Sequence, residues 1–113
     1  MHEYGITRDI IEAAADAAAK AGAKRVTSVK LVIGDLASVV DSSVRFYFDI
    51  LAEGTSVAGA ELVFERVPAE LACQSCGKVF PLAGRDWTCP DCGGSAHITD
   101  RAREFYVESI EVE

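Results

Sequence analysis

The stretch CQSCGKVFPLAGRDWTCPDCGG, from Cys73 to Gly94, decides how this chain divides. It carries all four cysteines as two Cys-x-x-Cys units, Cys73-Gln74-Ser75-Cys76 and Cys89-Pro90-Asp91-Cys92, separated by 12 residues. Glycine follows each unit, at Gly77 and Gly93. A Cys-x-x-Cys turn aims two thiolates at one centre, the glycine permits the sharp bend, and two such turns complete a tetrahedral four-sulfur site. No position is left for a substrate, so the site is expected to be structural and the module to be unordered without its ion. Zinc is the preferred ion. An iron–thiolate centre stays open, and so does a thiol redox pair or disulfides.

Outward from the cysteines, residues 72–98 offer little apolar material beyond Val79, Phe80, Leu82 and Trp87, too little for a core of their own. Trp87 is expected to plug the module's interior rather than to stack on a base. Ahead of the module, residues 60–67 set Leu62 and Phe64 opposite Glu61 and Glu65 and stop at Pro68, which predicts a strand. Beyond it, residues 105–112 are rich in β-branched and aromatic side chains and predict another. The module is therefore expected as an insertion between neighbouring strands.

Further upstream, Ile6, Ile10, Ala14, Ala17 and Ala21 recur at helical spacing, and Gly22 supplies a C-terminal stop. Residues 24–33 then alternate, with Val29, Leu31 and Ile33 against Lys30, as in a half-buried strand. Asp41, Ser42 and Ser43 are candidate caps for a second helix whose stripe is Val44, Tyr47, Phe48 and Leu51. The predicted fold class is α+β, two helices packed on a small three-stranded sheet with an inserted zinc-ribbon-like module. The expected domains are 1–70 together with 103–113, and 71–102.

Among 113 residues, 18 are acidic and 11 basic, a net charge of -7 that is the wrong sign for a protein coating phosphate backbones. Within Cys73–Cys92 the charges Lys78, Arg85, Asp86 and Asp91 cancel, so the module shows no basic stripe. Neither nucleic acid nor a membrane is expected as a partner, since no apolar run reaches the length of a span. With no secretory signal pattern at the start, a cytoplasmic protein with reduced cysteines is expected.

The opening residues Met1-His2-Glu3 hold a second candidate metal site. The α-amine, the amide nitrogen between Met1 and His2, and the imidazole lie on a short covalent path and form fused chelate rings. Three nitrogens in a plane suit the square-planar preference of nickel(II) or copper(II), with the fourth place open to Glu3 or an incoming ligand.

The opening Met1-His2-Glu3-Tyr4, the turn Val32-Ile33-Gly34-Asp35, the helix start Asp41-Ser42-Ser43 and the cysteine quartet resemble, in that order and over essentially the whole chain, the HypA/HybF family. These are nickel metallochaperones of [NiFe]-hydrogenase maturation. The resemblance implies a nickel lobe, a zinc lobe, and nickel ligands from Met1, His2 and Glu3. It also brings in Asp41, which otherwise reads as a helix cap, while His97 follows the quartet and is a further candidate ligand. Implied cofactors are structural Zn(2+) and Ni(2+) as transferable cargo; implied partners are the maturation GTPase HypB and the hydrogenase large-subunit precursor. No nucleophile–base pair argues for an enzyme. The rivals are a zinc-ribbon interaction module acting on nucleic acid or a transcription complex, and a rubredoxin-like electron carrier.

Overall fold

The computed structural model describes residues 2–83 and 86–113. In chain order the elements are α1 (His2–Lys20), β1 (Val26–Gly34), α2 (Asp41–Leu51), β2 (Glu61–Val67), β3 (Glu70–Cys73), β4 (Val79–Pro81), β5 (Ala96–Ile98), a 3₁₀ turn (Asp100–Arg103) and β6 (Phe105–Val112). They form two compact units. The first comprises residues 1–32, 39–65 and 105–113; the second comprises 33–38 and 66–104.

The first unit is the α+β body. Helix α1 packs against α2 and against β6, burying Thr7, Ile10, Ile11, Ala14 and Ala18. The stripe is thus rotated from the expected one, and Ala17 and Ala21 are exposed. Alanines at 13–15 and 17–19 offer a small apolar group on almost every face, so spacing alone cannot fix the phase. The helix stops as predicted: Gly22 is left-handed at φ 72°. Ala23 N–H donates to the Ala18 carbonyl at 2.9 Å and Gly22 N–H to the Ala19 carbonyl at 3.1 Å, the paired bonds of a Schellman end.

Strand β1 is central in the sheet order β2-β1-β6. Val29, Leu31 and Ile33 are fully buried, as the alternation predicts, but so are Val26 and Val32 on the other face, leaving only the middle of that face open at Ser28 and Lys30. Strand β6 runs antiparallel to β1: Glu113 N–H donates to the Arg25 carbonyl, Thr27 Oγ1 to the Glu111 carbonyl, and Lys30 pairs with Glu108. The strands that flank the cysteine module, β2 and β6, therefore lie on opposite sides of β1 and are not hydrogen-bonded neighbours, which corrects the expected insertion point.

The second unit holds a smaller sheet, β4-β3-β5, antiparallel throughout. Leu71 faces Phe80 on one side and Ile98 on the other, and Cys73 faces Ala96. Its core is Leu71, Cys73, Phe80, Cys89 and Ala96, flanked by Leu82 and Ile98. Trp87 is not in it; the indole is 42% exposed, and Phe80 is the buried aromatic.

The turn after β1 belongs to this second unit and is built on close backbone approach. Gly34 N–H donates to the Glu104 carbonyl at 2.8 Å and Leu36 N–H to the Ala102 carbonyl at 2.7 Å. A Cβ on Gly34 would stand 2.3 Å from the carbonyl carbon and oxygen of Ala102, atoms that cannot move aside without shifting the chain. Gly34→Ala is therefore expected to destabilise the protein by about 1–3 kcal/mol, the usual cost of overpacking. A denaturation midpoint equal to that of the unsubstituted protein would contradict this packing.

Candidate metal centre

Each cysteine pair sits in a tight knuckle shaped by its backbone. Gly77 N–H donates to the Cys73 carbonyl and Gly93 N–H to the Cys89 carbonyl, both at 3.0 Å. Cys73 N–H donates to the Lys78 carbonyl and Cys89 N–H to the Gly94 carbonyl, both at 2.9 Å. The two knuckles are thus near-copies, and each needs its glycine, with φ 78° at Gly77 and 75° at Gly93.

The same turns point N–H groups at sulfur. Ser75 and Cys76 N–H donate to Cys73 Sγ at 3.3 and 3.4 Å, and Asp91 and Cys92 N–H do the same for Cys89. The remaining two sulfurs receive the Lys78 N–H, at Cys76, and the Gly94 N–H, at Cys92. The knuckles close on each other at Gly94, where an added Cβ would stand 2.9 Å from Ser75 Oγ and 3.3 Å from Cys73 Sγ. Lys78 Nζ also bridges to Asp91 Oδ1 at 3.0 Å, but both side chains are exposed and water screens the pair, so it does little to hold the knuckles.

All four sulfurs lie within 4.8 Å of one another. Cys73 Sγ is 3.4 Å from Cys92 Sγ, and Cys76 Sγ is 3.6 Å from Cys89 Sγ. Those separations are far beyond a disulfide bond, and all four cysteines are free thiols. A tetrahedron with metal–sulfur bonds of about 2.3 Å has edges of about 3.8 Å, so the quartet fits zinc. Cys73 and Cys89 are buried and Cys76 and Cys92 exposed, which gives the site one closed side and one side toward solvent.

Crowding sorts the thiols. Donation by the Cys76 N–H lowers Cys73 to about 6, against the opposing effect of burial. Cys89 is lowered in the same way, chiefly by the Cys92 N–H. At Cys76 the largest influence, the Lys78 N–H, is outweighed by the sulfurs of Cys89 and Cys73, and the thiol is raised. At Cys92 the Gly94 N–H is likewise outweighed by neighbouring sulfurs, and the thiol is pushed up to about 12.

Among the described residues, this quartet is the sole group of three or more His, Cys, Asp or Glu side chains whose ligand atoms converge. Met1 lies outside the described residues. His2 opens α1 and Glu3 lies in its first turn. Asp41 is the first residue of α2 rather than its cap; Val40 takes the N-cap position, with no side-chain bond, and its carbonyl accepts from Ser43 and Val44. An acidic residue there still complements the positive end of the helix. His97 is exposed on β5, opposite Ala72, in the unit that holds the cysteines.

Comparison with known proteins settles the family. A family model described as hydrogenase/urease nickel incorporation, metallochaperone, HypA matches residues 1–112. The chain belongs to the HypA family. HypA relatives named hydrogenase maturation factor include one from Caldanaerobacter subterraneus, 46% identical over the full length of both chains. Another, from Dehalococcoides mccartyi, is 41% identical over all of this chain and 95% of its own. Among solved HypA structures, the nickel metallochaperone HypA from Helicobacter pylori aligns with a TM-score of 0.70 at 27% identity, covering 99% of this chain and 97% of that one. A second HypA solution structure aligns with a TM-score of 0.80, also at 27% identity, over 100% of this chain and 97% of its own.

The cysteine quartet is legible in the sequence, but the N–H groups that tune it and the contact at Gly94 are not. The doubled glycine Gly93-Gly94 was the available signal: one residue supplies the left-handed turn, and the other lets the knuckles touch.

The sorting of the thiols has a measurable consequence. At pH 7 Cys73 is already ionised while Cys76 and Cys92 still carry protons. Loading zinc at pH 7 is therefore expected to release about two protons or more, with affinity falling as pH drops and falling faster once Cys73 also protonates below about 6. Isothermal titration in buffers of different ionisation heat measures the number; release of fewer than one proton would contradict the ordering.

Proposed function

We propose that this chain is a non-enzymatic nickel carrier of the cytoplasm that binds Ni(II) at its amino terminus and passes it toward the large-subunit precursor of a [NiFe]-hydrogenase, working with the maturation GTPase HypB. Nickel is cargo and zinc is resident. The nickel lobe is residues 1–70 with 103–113, and the zinc lobe is residues 71–102, held by Cys73, Cys76, Cys89 and Cys92. With Met1 as the amino-terminal residue, the nickel donors are its α-amine, the His2 amide and imidazole, and Glu3, with Asp41 and His97 as further candidate ligands.

The start of α1 at His2 is the observation that carries this assignment. The first four N–H groups of a helix have no helical acceptor. Replacing the His2 amide proton by a metal therefore breaks no bond of the helix, whereas ligation by an amide in mid-helix would. The positive end of the helix dipole opposes a cation by about 0.3–1 kcal/mol. A site so placed is weak, which suits a metal that has to leave. The cysteine quartet is the opposite case, because four thiolates fill the coordination sphere and leave nothing to exchange.

Position in the chain is testable apart from side-chain identity. Adding a few residues before Met1 turns the amine into an amide and is expected to abolish high-affinity nickel uptake although every native side chain remains. His2→Ala should cost as much, and zinc content should be unchanged in both. Nickel affinity should also fall as pH drops through the amine's ordinary range of about 7.7–8.0 and again near the imidazole's of about 6.5, since both must lose protons to bind. The measurement is a nickel titration followed by visible absorption. An extended protein with unaltered affinity and spectrum would overturn the chelate.

A further inference from the structure

Thr7 is the buried polar side chain of the described core, at 0% exposure among Ile10, Ile11 and Ala14 of the same helix. A valine would fill that volume without a hydroxyl to satisfy, so the oxygen calls for a partner. It has one: Thr7 Oγ1 donates to the carbonyl of Glu3, one turn back. The bond fastens the turn that contains His2 and Glu3 to the buried side of α1. A second tie lies beside it, where the Tyr4 ring meets the edge of Tyr47 on α2 with centroids 5.5 Å apart and planes at 82°.

Between these ties sits Gly5, whose added Cβ would meet nothing within 4 Å. No packing demands glycine there, and glycine inside a helix weakens it about fivefold in equilibrium constant relative to alanine. The first turn is thus built from opposed parts. It is loosened at Gly5 and pinned from below at Thr7, with the proposed nickel donors immediately upstream.

Resting on the nickel chelate proposed above, we infer that Ni(II) is bound by the helical form of this turn and that Thr7 is its positioning residue, holding the Glu3 carbonyl so that the His2 amide stays at the open start of the helix. Gly5 keeps the turn open to exchange. Apparent nickel affinity is then the intrinsic affinity scaled by the fraction of chains whose first turn is helical.

The two residues are expected to act in opposite directions. Thr7→Val keeps the buried volume and removes the hydroxyl; it should weaken nickel binding about fivefold, the worth of one intramolecular hydrogen bond. It should also change the circular dichroism of the nickel absorption bands, a readout that a general loss of stability would not move. Thr7→Ser should restore affinity and bands. Gly5→Ala, which touches no core atom, should bind nickel at least as tightly as the unsubstituted protein and release it more slowly. Zinc content and a single cooperative thermal unfolding transition, retained in all three, establish that each is folded, and Gly5→Ala keeps the test decisive if Thr7→Val is not. Thr7→Val that binds nickel identically or more tightly, or Gly5→Ala that binds more weakly, overturns the inference, the latter because the turn would have to unwind to take metal. If the unsubstituted protein takes up no nickel at its amino terminus, the chelate itself fails; if it binds and Thr7→Val matches it in affinity and spectrum, only the pin fails.

Discussion

Four sulfurs held within 4.8 Å of one another cannot all be ionised unless a cation stands among them. The second unit is organised around that constraint. Its sheet has three or four residues per strand, and two of the five members of its buried cluster are candidate metal-site cysteines, Cys73 and Cys89. Leu71, Phe80 and Ala96 alone bury too little to hold so many turns in place, so a metal held by the four cysteines would supply what the core lacks. The backbone N–H groups aimed at Cys73 and Cys89 ready two thiols for an ion, which would itself have to drive the protons from Cys76 and Cys92.

A site closed in this way makes a poor carrier, and that shapes the rest of the protein. In a HypA protein that hands nickel on, the transferable ion needs donors that are few, near the surface and inexpensive to release. The first turn of α1 answers to this, because its amides have no helical acceptor and its glycine loosens the very turn that Thr7 and Tyr4 fasten. On the proposed reading, strength at the cysteines and weakness at the amino terminus would be complementary consequences of where each ligand set sits in the fold.

Much of this was legible before any coordinates. The quartet, its glycines, the stop at Gly22, the stripe of Val44 and Phe48, and the boundaries of β2 and β6 follow from local rules in which one residue or one spacing dominates. What escaped depends on contacts between distant residues or on weak contrast. The phase of α1 was hidden by a run of alanines, and Trp87 read as a core residue until Phe80 was seen to occupy that place. Strands β3, β4 and β5 are too short to show a period, and the central position of β1 is set by topology. The role of Thr7 needed its burial to be known, since a threonine in a helix is unremarkable until it loses its water.

The division of labour between the two metals is most directly tested by X-ray absorption on protein loaded with one zinc and one nickel, read separately at the two metal edges. The zinc edge is expected to show four sulfur neighbours at about 2.3 Å, and the nickel edge nitrogen and oxygen neighbours with no sulfur. Sulfur bound to nickel, or zinc surrounded by nitrogen and oxygen, would show that the ions share or exchange the cysteine site and would contradict the separation of resident from cargo metal.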